Sequence, residues 1–483
     1  MTVIHRRTFL KGAAAASGAA ALSGGPFAGF IAQVAAASDV NLGPLGPVAD
    51  QRDGKVRLHL PSGFNYRSFH DTDGPPIVLD DGSVLQGRHD GMGAFVAPRG
   101  DAYLVRNHEI NGPGTAFGDP DNAYDTAARG GCTTTVVSGT GEVRSAWTSL
   151  NGTMMNCAGG RMPWGAWISC EETVNGPDVG PDFTGVPNTL LTKPHGYIFE
   201  VPVGGVSAAE PVTAAGRFPH ESVSFDPDGG ILYLTEDNFA FPSGFYRYIP
   251  PSDPMVTGSL ANGGQLQMLK VAGVTNAHLE GNQTVGASYP IEWVNIANPD
   301  PVHPVGTTND QALTAVGNQG RALGAAGFSR LEGQAFDRGV VYFTSTQGGG
   351  AAETGPELST GYGNGTGQVW AYRPADQTLT CVFQSPSTAV LDFPDNVTTS
   401  NRGTVILCED STGDNFVRGL TRKGQLFDIA LNRLTNNSTG ATRFGEEFAG
   451  STFSSNGKTL FVNIQANAGI SFAIWADWQK LGV

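Results

Sequence analysis

Asn156-Cys157-Ala158-Gly159-Gly160, the turn Met162-Pro163-Trp164-Gly165, and Ala166-Trp167-Ile168-Ser169-Cys170-Glu171-Glu172 decide the fold class of this chain. A small polar cluster passes through a proline-glycine turn into an apolar run of three residues, Ala166–Ile168, that ends in a thiol and two carboxylates. A run that short, bounded by turn residues, reads as a β-strand and the whole as a hairpin. Cys170 followed by Glu171 and Glu172 offers one soft and two hard donors, the makings of a metal corner. A half-buried cysteine with two solvated acids explains a single occurrence equally well.

The design does not occur once. His89-Asp90-Gly91-Met92 leads to Tyr103-Leu104-Val105-Arg106-Asn107-His108-Glu109, and His220-Glu221-Ser222-Val223 to Leu232-Tyr233-Leu234-Thr235-Glu236-Asp237. Leu331-Glu332-Gly333-Gln334 leads to Val341-Tyr342-Phe343-Thr344-Ser345-Thr346, and Asp395-Asn396-Val397-Thr398 to Val405-Ile406-Leu407-Cys408-Glu409-Asp410. Glu447-Phe448-Ala449-Gly450 with Leu460-Phe461-Val462-Asn463-Ile464-Gln465 makes the sixth. Copies fall roughly 50 to 110 residues apart. Six hairpins of one plan predict an all-β fold, a six-bladed β-propeller with long inter-strand insertions. The Asn-, Gly- and Pro-rich stretch 251–320 and the stretch 348–366 read as such excursions. No composition break divides residues 38–483, which are expected to form one domain. The 67 glycines and 30 prolines among 483 residues agree with many strands joined by tight turns.

Residues 1–37 stand apart. Arg6-Arg7-Thr8-Phe9-Leu10-Lys11, a mildly apolar Ala/Gly run and Val34-Ala35-Ala36-Ala37 read as a twin-arginine export signal. The run is interrupted by Pro26 and by glycines and serines, which argues against a membrane anchor. A periplasmic or secreted location follows, with the twin-arginine translocation machinery as a partner during export. Removing Arg6, Arg7 and Lys11 takes the formal charge from −15 to −18. A chain so acidic repels nucleic acid and acidic membrane surfaces, while its carboxylates suit hard cations such as calcium. The five cysteines, Cys132, Cys157, Cys170, Cys381 and Cys408, are odd in number and irregularly spaced, which excludes a disulfide framework as the organising device.

In a propeller the first strand of each blade lines the axis, so the residues flanking each hairpin converge there. Before the first strand these are Asp90, Cys157, Glu221, Glu332 and Asn396; after the second they are Asn107, Cys170, Glu236, Ser345 and Glu409. Carboxylates gathered so closely repel and raise one another's pKa, and bound cations are the ordinary remedy. Among the thiols, Cys170 is the expected ligand, with Cys157 read as packing and Cys132, Cys381 and Cys408 as structural. His108 and His220 each adjoin a glutamate and are expected to orient it.

The sequence resembles the PhoX alkaline phosphatases over roughly residues 60 to 480 and is identified as a compact member of that family. The resemblance is carried by His89-Asp-Gly-Met92, Arg106-Asn-His-Glu109, Asn156-Cys-Ala-Gly-Gly160, Pro163-Trp-Gly-Ala-Trp-Ile-Ser-Cys-Glu-Glu172 and Gly216-Arg-Phe-Pro-His-Glu221. Leu234-Thr-Glu-Asp237, Arg330-Leu-Glu-Gly333, Leu407-Cys-Glu-Asp410 and Phe461-Val-Asn-Ile-Gln465 continue it. It implies an axial site holding two ferric ions and two or three calcium ions. It implies Cys170 as the residue bridging the irons, Glu221 and Glu332 as ligands, and Arg330 as the contact to phosphate. Glu171, Glu109, Asn156 and Asp90 lie in matching motifs, and Glu236 and Glu409 complete the expected ligand set by position. Catalysis is expected from Arg330 and Cys170, on small phosphate monoesters, at alkaline pH, by a monomer.

Two other readings share the propeller: a calcium-dependent lactonase or phosphotriesterase, and a non-catalytic calcium-stabilised binding module. Neither a GxSxG elbow, a phosphate-binding P-loop, an HExxH pair nor a dinucleotide fingerprint is present.

Overall fold

The structure, a computed structural model, describes residues 40–251, 256–356 and 360–483. The leader read over residues 1–37 lies outside them. Residues 40–483 fold as a β-propeller built on six inner strands: His89–Val96, Asn156–Met162, His220–Asp226, Leu331–Asp337, Pro394–Thr399 and Phe448–Phe453. Each pairs antiparallel with the strand that follows it, in chain order Ala102–His108, Ala166–Glu171, Ile231–Glu236, Val340–Ser345, Val405–Glu409 and Thr459–Ile464. These are the six hairpins the sequence repeats.

The hydrogen-bonded sheets among the described residues number five, however, not six. The stretch 251–320, expected as an excursion, contains two regular strands. Gln265–Val271 is the fourth strand of its blade, and Ser288–Asn295 pairs with it on one side and with Thr378–Gln384 of the next blade on the other. That bridge welds two blades into one nine-stranded sheet. Two short helices, Asn309–Leu313 and Ala315–Ala322, complete the stretch; the first opens on a capping box between Thr308 and Gln311.

The chain start closes the ring. Asn65–Phe69 adds the outer strand to the last blade by pairing with Ile470–Trp475, and Leu58–Pro61 pairs with Leu426–Asn432 of the blade before it. Covering those edges removes strands that would otherwise invite pairing with another chain. The apolar cores lie between adjacent blades; the largest joins Leu58, Tyr66, Ile406, Phe448 and Phe472 across the closure.

One irregularity repeats in all six inner strands. The register slips after His89, Asn156, His220, Leu331, Pro394 and Ala449, and resumes three residues later each time. A β-bulge turns its extra residues out of the ladder and re-aims their side chains. The first bulged residue is Asp90, Cys157, Glu221, Glu332 and Asp395 in five blades, and Gly450 in the sixth. Small residues beside them let the inner strands crowd the axis: a Cβ on Gly91 would lie 2.4 Å from Ala158 Cα, and one on Gly333 2.5 Å from Val397 N.

Candidate metal centre

The bulges and the ends of the second strands deliver two tiers of side chains. The first is Asp90, Cys157, Glu221, Glu332 and Asp395. The second is the residue just past the last paired position of each second strand, giving Glu109, Glu172, Asp237, Asp410 and Gln465, with Thr346 at that place in the fourth blade. Glu447, just ahead of the sixth inner strand, joins them. Within this set three groups bring their ligand atoms within 4.8 Å of one another: Cys157, Glu172 and Glu221; Glu221, Glu332 and Asp395; and Asp395, Asp410 and Glu447. Glu221 links the first group to the second and Asp395 the second to the third, so the donors form a chain with sulfur at one end and only oxygen at the other.

Burial and mutual repulsion push the carboxyls of Asp90, Glu172, Glu221, Glu332 and Glu447 well above their usual range, and Asp395 to about 7. Burial, then the Glu221 carboxylate, does the same to the Cys157 thiol. Two guanidiniums stand against nine carboxylates. Arg330 donates to Asp237 Oδ2 and Glu332 Oε1, both at 3.1 Å, and Arg88 pairs with Glu109. Gln465 Nε2 donates to Asp90 and Glu109. Asp237 Oδ1 is buried with no partner among the described residues. A site with so many hard donors, one thiol and an orphaned buried oxygen fits polyvalent cations.

The thiol in this site is Cys157, which the sequence reading had assigned to packing. Asn107 holds it from behind, donating to the Cys157 and Ala158 carbonyls at 2.8 Å each, and the Cys157 thiol lies 3.4 Å from the His220 carbonyl. Cys170 sits instead in an apolar core with Met162, Ile168, Ile198 and Phe218.

The same one-residue phase separates three expected ligands from the site. Glu171 accepts from the backbone of Gly196 and Tyr197 and from His195 Nδ1. Glu236 accepts from Gly244 N and the Tyr246 hydroxyl. Glu409 accepts from Asp392 N and Phe416 N and pairs with Arg418. All three point outward and pin the start of the third strand of their own blade, because side chains alternate along a strand. Asn156 bridges Thr153 and Ser169 beneath the site, and Ser345 bonds the Ser329 carbonyl. Asn396 gives way to Asp395 and donates to it at 2.8 Å. Asp90, Glu109, Glu221, Glu332 and Arg330 are gathered where the sequence placed them. His108 holds the Gly87 carbonyl and Thr133, and His220 the Gly216 carbonyl, so neither bonds its neighbouring glutamate. Glu172, Asp237, Asp395, Asp410 and Glu447 all lie inside the quoted motifs, but of these only Glu172 stands out from the sequence as a donor, in the corner Cys170-Glu171-Glu172.

The family model for alkaline phosphatase PhoX matches residues 43–468, nearly the whole described chain. The chain belongs to the PhoX alkaline phosphatase family. A twin-arginine translocation signal matches residues 3–23, so this PhoX member is an exported phosphatase, bound for the periplasm or beyond. Among solved structures the chain is similar to Pseudomonas fluorescens PhoX in complex with vanadate, a transition-state analogue. Identity is 16%, TM-score 0.62, with 90% of this chain and 98% of that one covered. A gluconolactonase from Xanthomonas campestris is matched at 12% identity and TM-score 0.36, covering 90% of this chain and 99% of that one. No curated protein matches at a significant level. No helix among the described residues is long and apolar enough to cross a membrane.

Proposed function

We propose that this PhoX member hydrolyses phosphate monoesters at the acidic axial site, and that the site works only when loaded with iron and calcium. The observation that supports this most directly is the chain of shared donors from Cys157 to Glu447, with Arg330 alongside. Cys157, Glu172 and Glu221 make the mixed sulfur and oxygen end suited to ferric iron, two ions by family resemblance. Glu332, Asp395, Asp410 and Glu447 make the all-oxygen end suited to calcium, two or three ions. Bound there, the ions supply positive charge and Lewis acidity that a phosphate dianion needs in an otherwise repulsive site.

The rest falls to the protein's own groups. Arg330 presents a planar two-pronged donor to phosphate oxygens. Asp237 and Glu332 hold that guanidinium in place and keep it charged despite its burial. Arg330 adopts φ of +42°, a left-handed conformation uncommon outside glycine, which turns it out of the strand toward the axis. The Phe239 ring lies 5.4 Å from the guanidinium carbon and covers its other face. Arg88, tethered by Glu109, adds a second positive charge within electrostatic reach of Asp90 and Glu447.

The test is metal content, visible spectrum and phosphate release from p-nitrophenyl phosphate in one preparation. Iron and calcium both bound, a thiolate-to-iron absorption band and phosphate release are expected. Full loading without phosphate release would overturn the reading, and calcium alone with activity on a lactone or triester would favour the rival enzyme.

A further inference from the structure

Beyond the acid tier the propeller axis opens into a chamber of about 510 Å³. On four inner strands it begins one residue past the site, at Ala158, Ser222, Gly333 and Asn396, and all six inner strands line it. Its chemistry is the reverse of the metal centre. No carboxylate lines it, in a chain of formal charge −15. Its one charged group is Arg161, for which no carboxylate partner exists among the described residues. The Arg161 guanidinium carbon lies 5.3 Å from the centre of the Phe95 ring. Gly93 makes room for its stem, since a Cβ there would lie 3.0 Å from Arg161 Cγ and 2.6 Å from the Trp167 ring. Phe95, Met162, Trp167, Phe225 and Phe336 give apolar walls, and Thr398 and Thr399 add half-buried hydroxyls.

Arg161 is itself exposed to solvent while the residues on either side of it along the strand are buried, so an anion entering the chamber reaches its guanidinium without displacing a carboxylate. A concave, largely apolar chamber with one fixed polar anchor is the usual form of a small-molecule site. We infer that the axial chamber binds a small amphiphilic anion, an aromatic or alkyl body bearing one anionic group, with the anion on Arg161 and the body against Phe95 and Trp167. The site is separate from the metal centre, and its existence does not depend on the reaction proposed there.

The probe is anilinonaphthalene sulfonate, with the uncharged phenylnaphthylamine as its control, titrated into the metal-loaded enzyme by fluorescence. One sulfonate per chain is expected, with energy transfer from tryptophan. Arg161→Ala should weaken the sulfonate about tenfold, the worth of one charged hydrogen bond, and leave the neutral probe unchanged. Arg161→Lys should fall between. In the unaltered enzyme, added salt should weaken the sulfonate but not the amine, a readout that stands even if Arg161→Ala misfolds. Equal sulfonate affinity in the wild type and Arg161→Ala would overturn the inference. So would a parallel loss of both probes, or salt-independent sulfonate binding.

Discussion

Glu171 and Glu172 are neighbours in the chain and face opposite ways: Glu171 Oε1 lies 2.6 Å from His195 Nδ1 in the blade interior, while Glu172 stands with Cys157 and Glu221 at the axis. Glu171 and Asp125 outweigh burial and raise His195 to about 9. The folded imidazole therefore holds its proton more tightly than the free one. Its contribution is fully present below about pH 6.5 and is lost as pH rises through about 9. Glu171→Gln should cost about 3 kcal/mol of stability at pH 6, the scale of a broken buried pair, and flatten that decline. Glu172→Gln should leave the decline intact and lower metal content instead. Thermal melts across pH, beside metal analysis, distinguish the two.

The two thiols separate in the same way. Cys157→Ser should abolish any visible thiolate band and reduce phosphate release at least tenfold. Cys170→Ala should leave the band and kcat nearly unchanged and cost about 1–2 kcal/mol of stability, as expected for a void in a packed core. A loss of the band in Cys170→Ala but not in Cys157→Ser would reverse the assignment.

Arg330 bears on rate more than on fold. Arg330→Ala should lower kcat/KM on the order of 10²-fold or more, the scale of removing one preorganised donor from a charge-stabilising site. Arg330→Lys should recover only part, because a single ammonium cannot bridge two oxygens. Metal content should stay near normal in Arg330→Lys; if it collapsed, the arginine would be holding the ligands and not the substrate.

Removing the metals should make stability depend on pH in a definite direction. The axial carboxyls titrate higher in the folded state than in the unfolded chain, Asp395 near 7 and Glu221 and Glu332 well above the usual carboxylate range, through burial and mutual repulsion. The metal-free fold therefore binds more protons than the unfolded chain, and its stability falls as pH rises from about 4 through 7 and above. Chelator-treated protein should melt highest near pH 5 and lowest near pH 8. Adding calcium and iron should restore Tm most at pH 8, where the ligands are already deprotonated. A chelated protein that melts equally at both values would contradict the carboxyl assignments.

The sequence determined a good deal by itself. Six copies of one hairpin, each with polar residues at both flanks and many of them acids, fix a propeller whose axis is acidic, since period-two strands and turn residues leave little freedom in where each hairpin begins. Asp90, Glu221 and Glu332 were legible for the same reason, whereas Arg330 and Glu109 came from the resemblance to the family. Which member of Cys170-Glu171-Glu172, Glu236-Asp237 or Glu409-Asp410 faces the axis was not, because a shift of one residue along a strand exchanges its two faces. That phase is set by where pairing with the inner strand stops, and by the bulge after Asn156 that turns Cys157 inward while Cys170 stays in the core. The welding of two blades through Ser288–Asn295 was hidden too, because it joins residues 288–290 to residues 378–380 across a long sequence separation. The charge reversal along the axis, nine carboxylates at one level and Arg161 alone beyond it, exists only once six inner strands are set side by side.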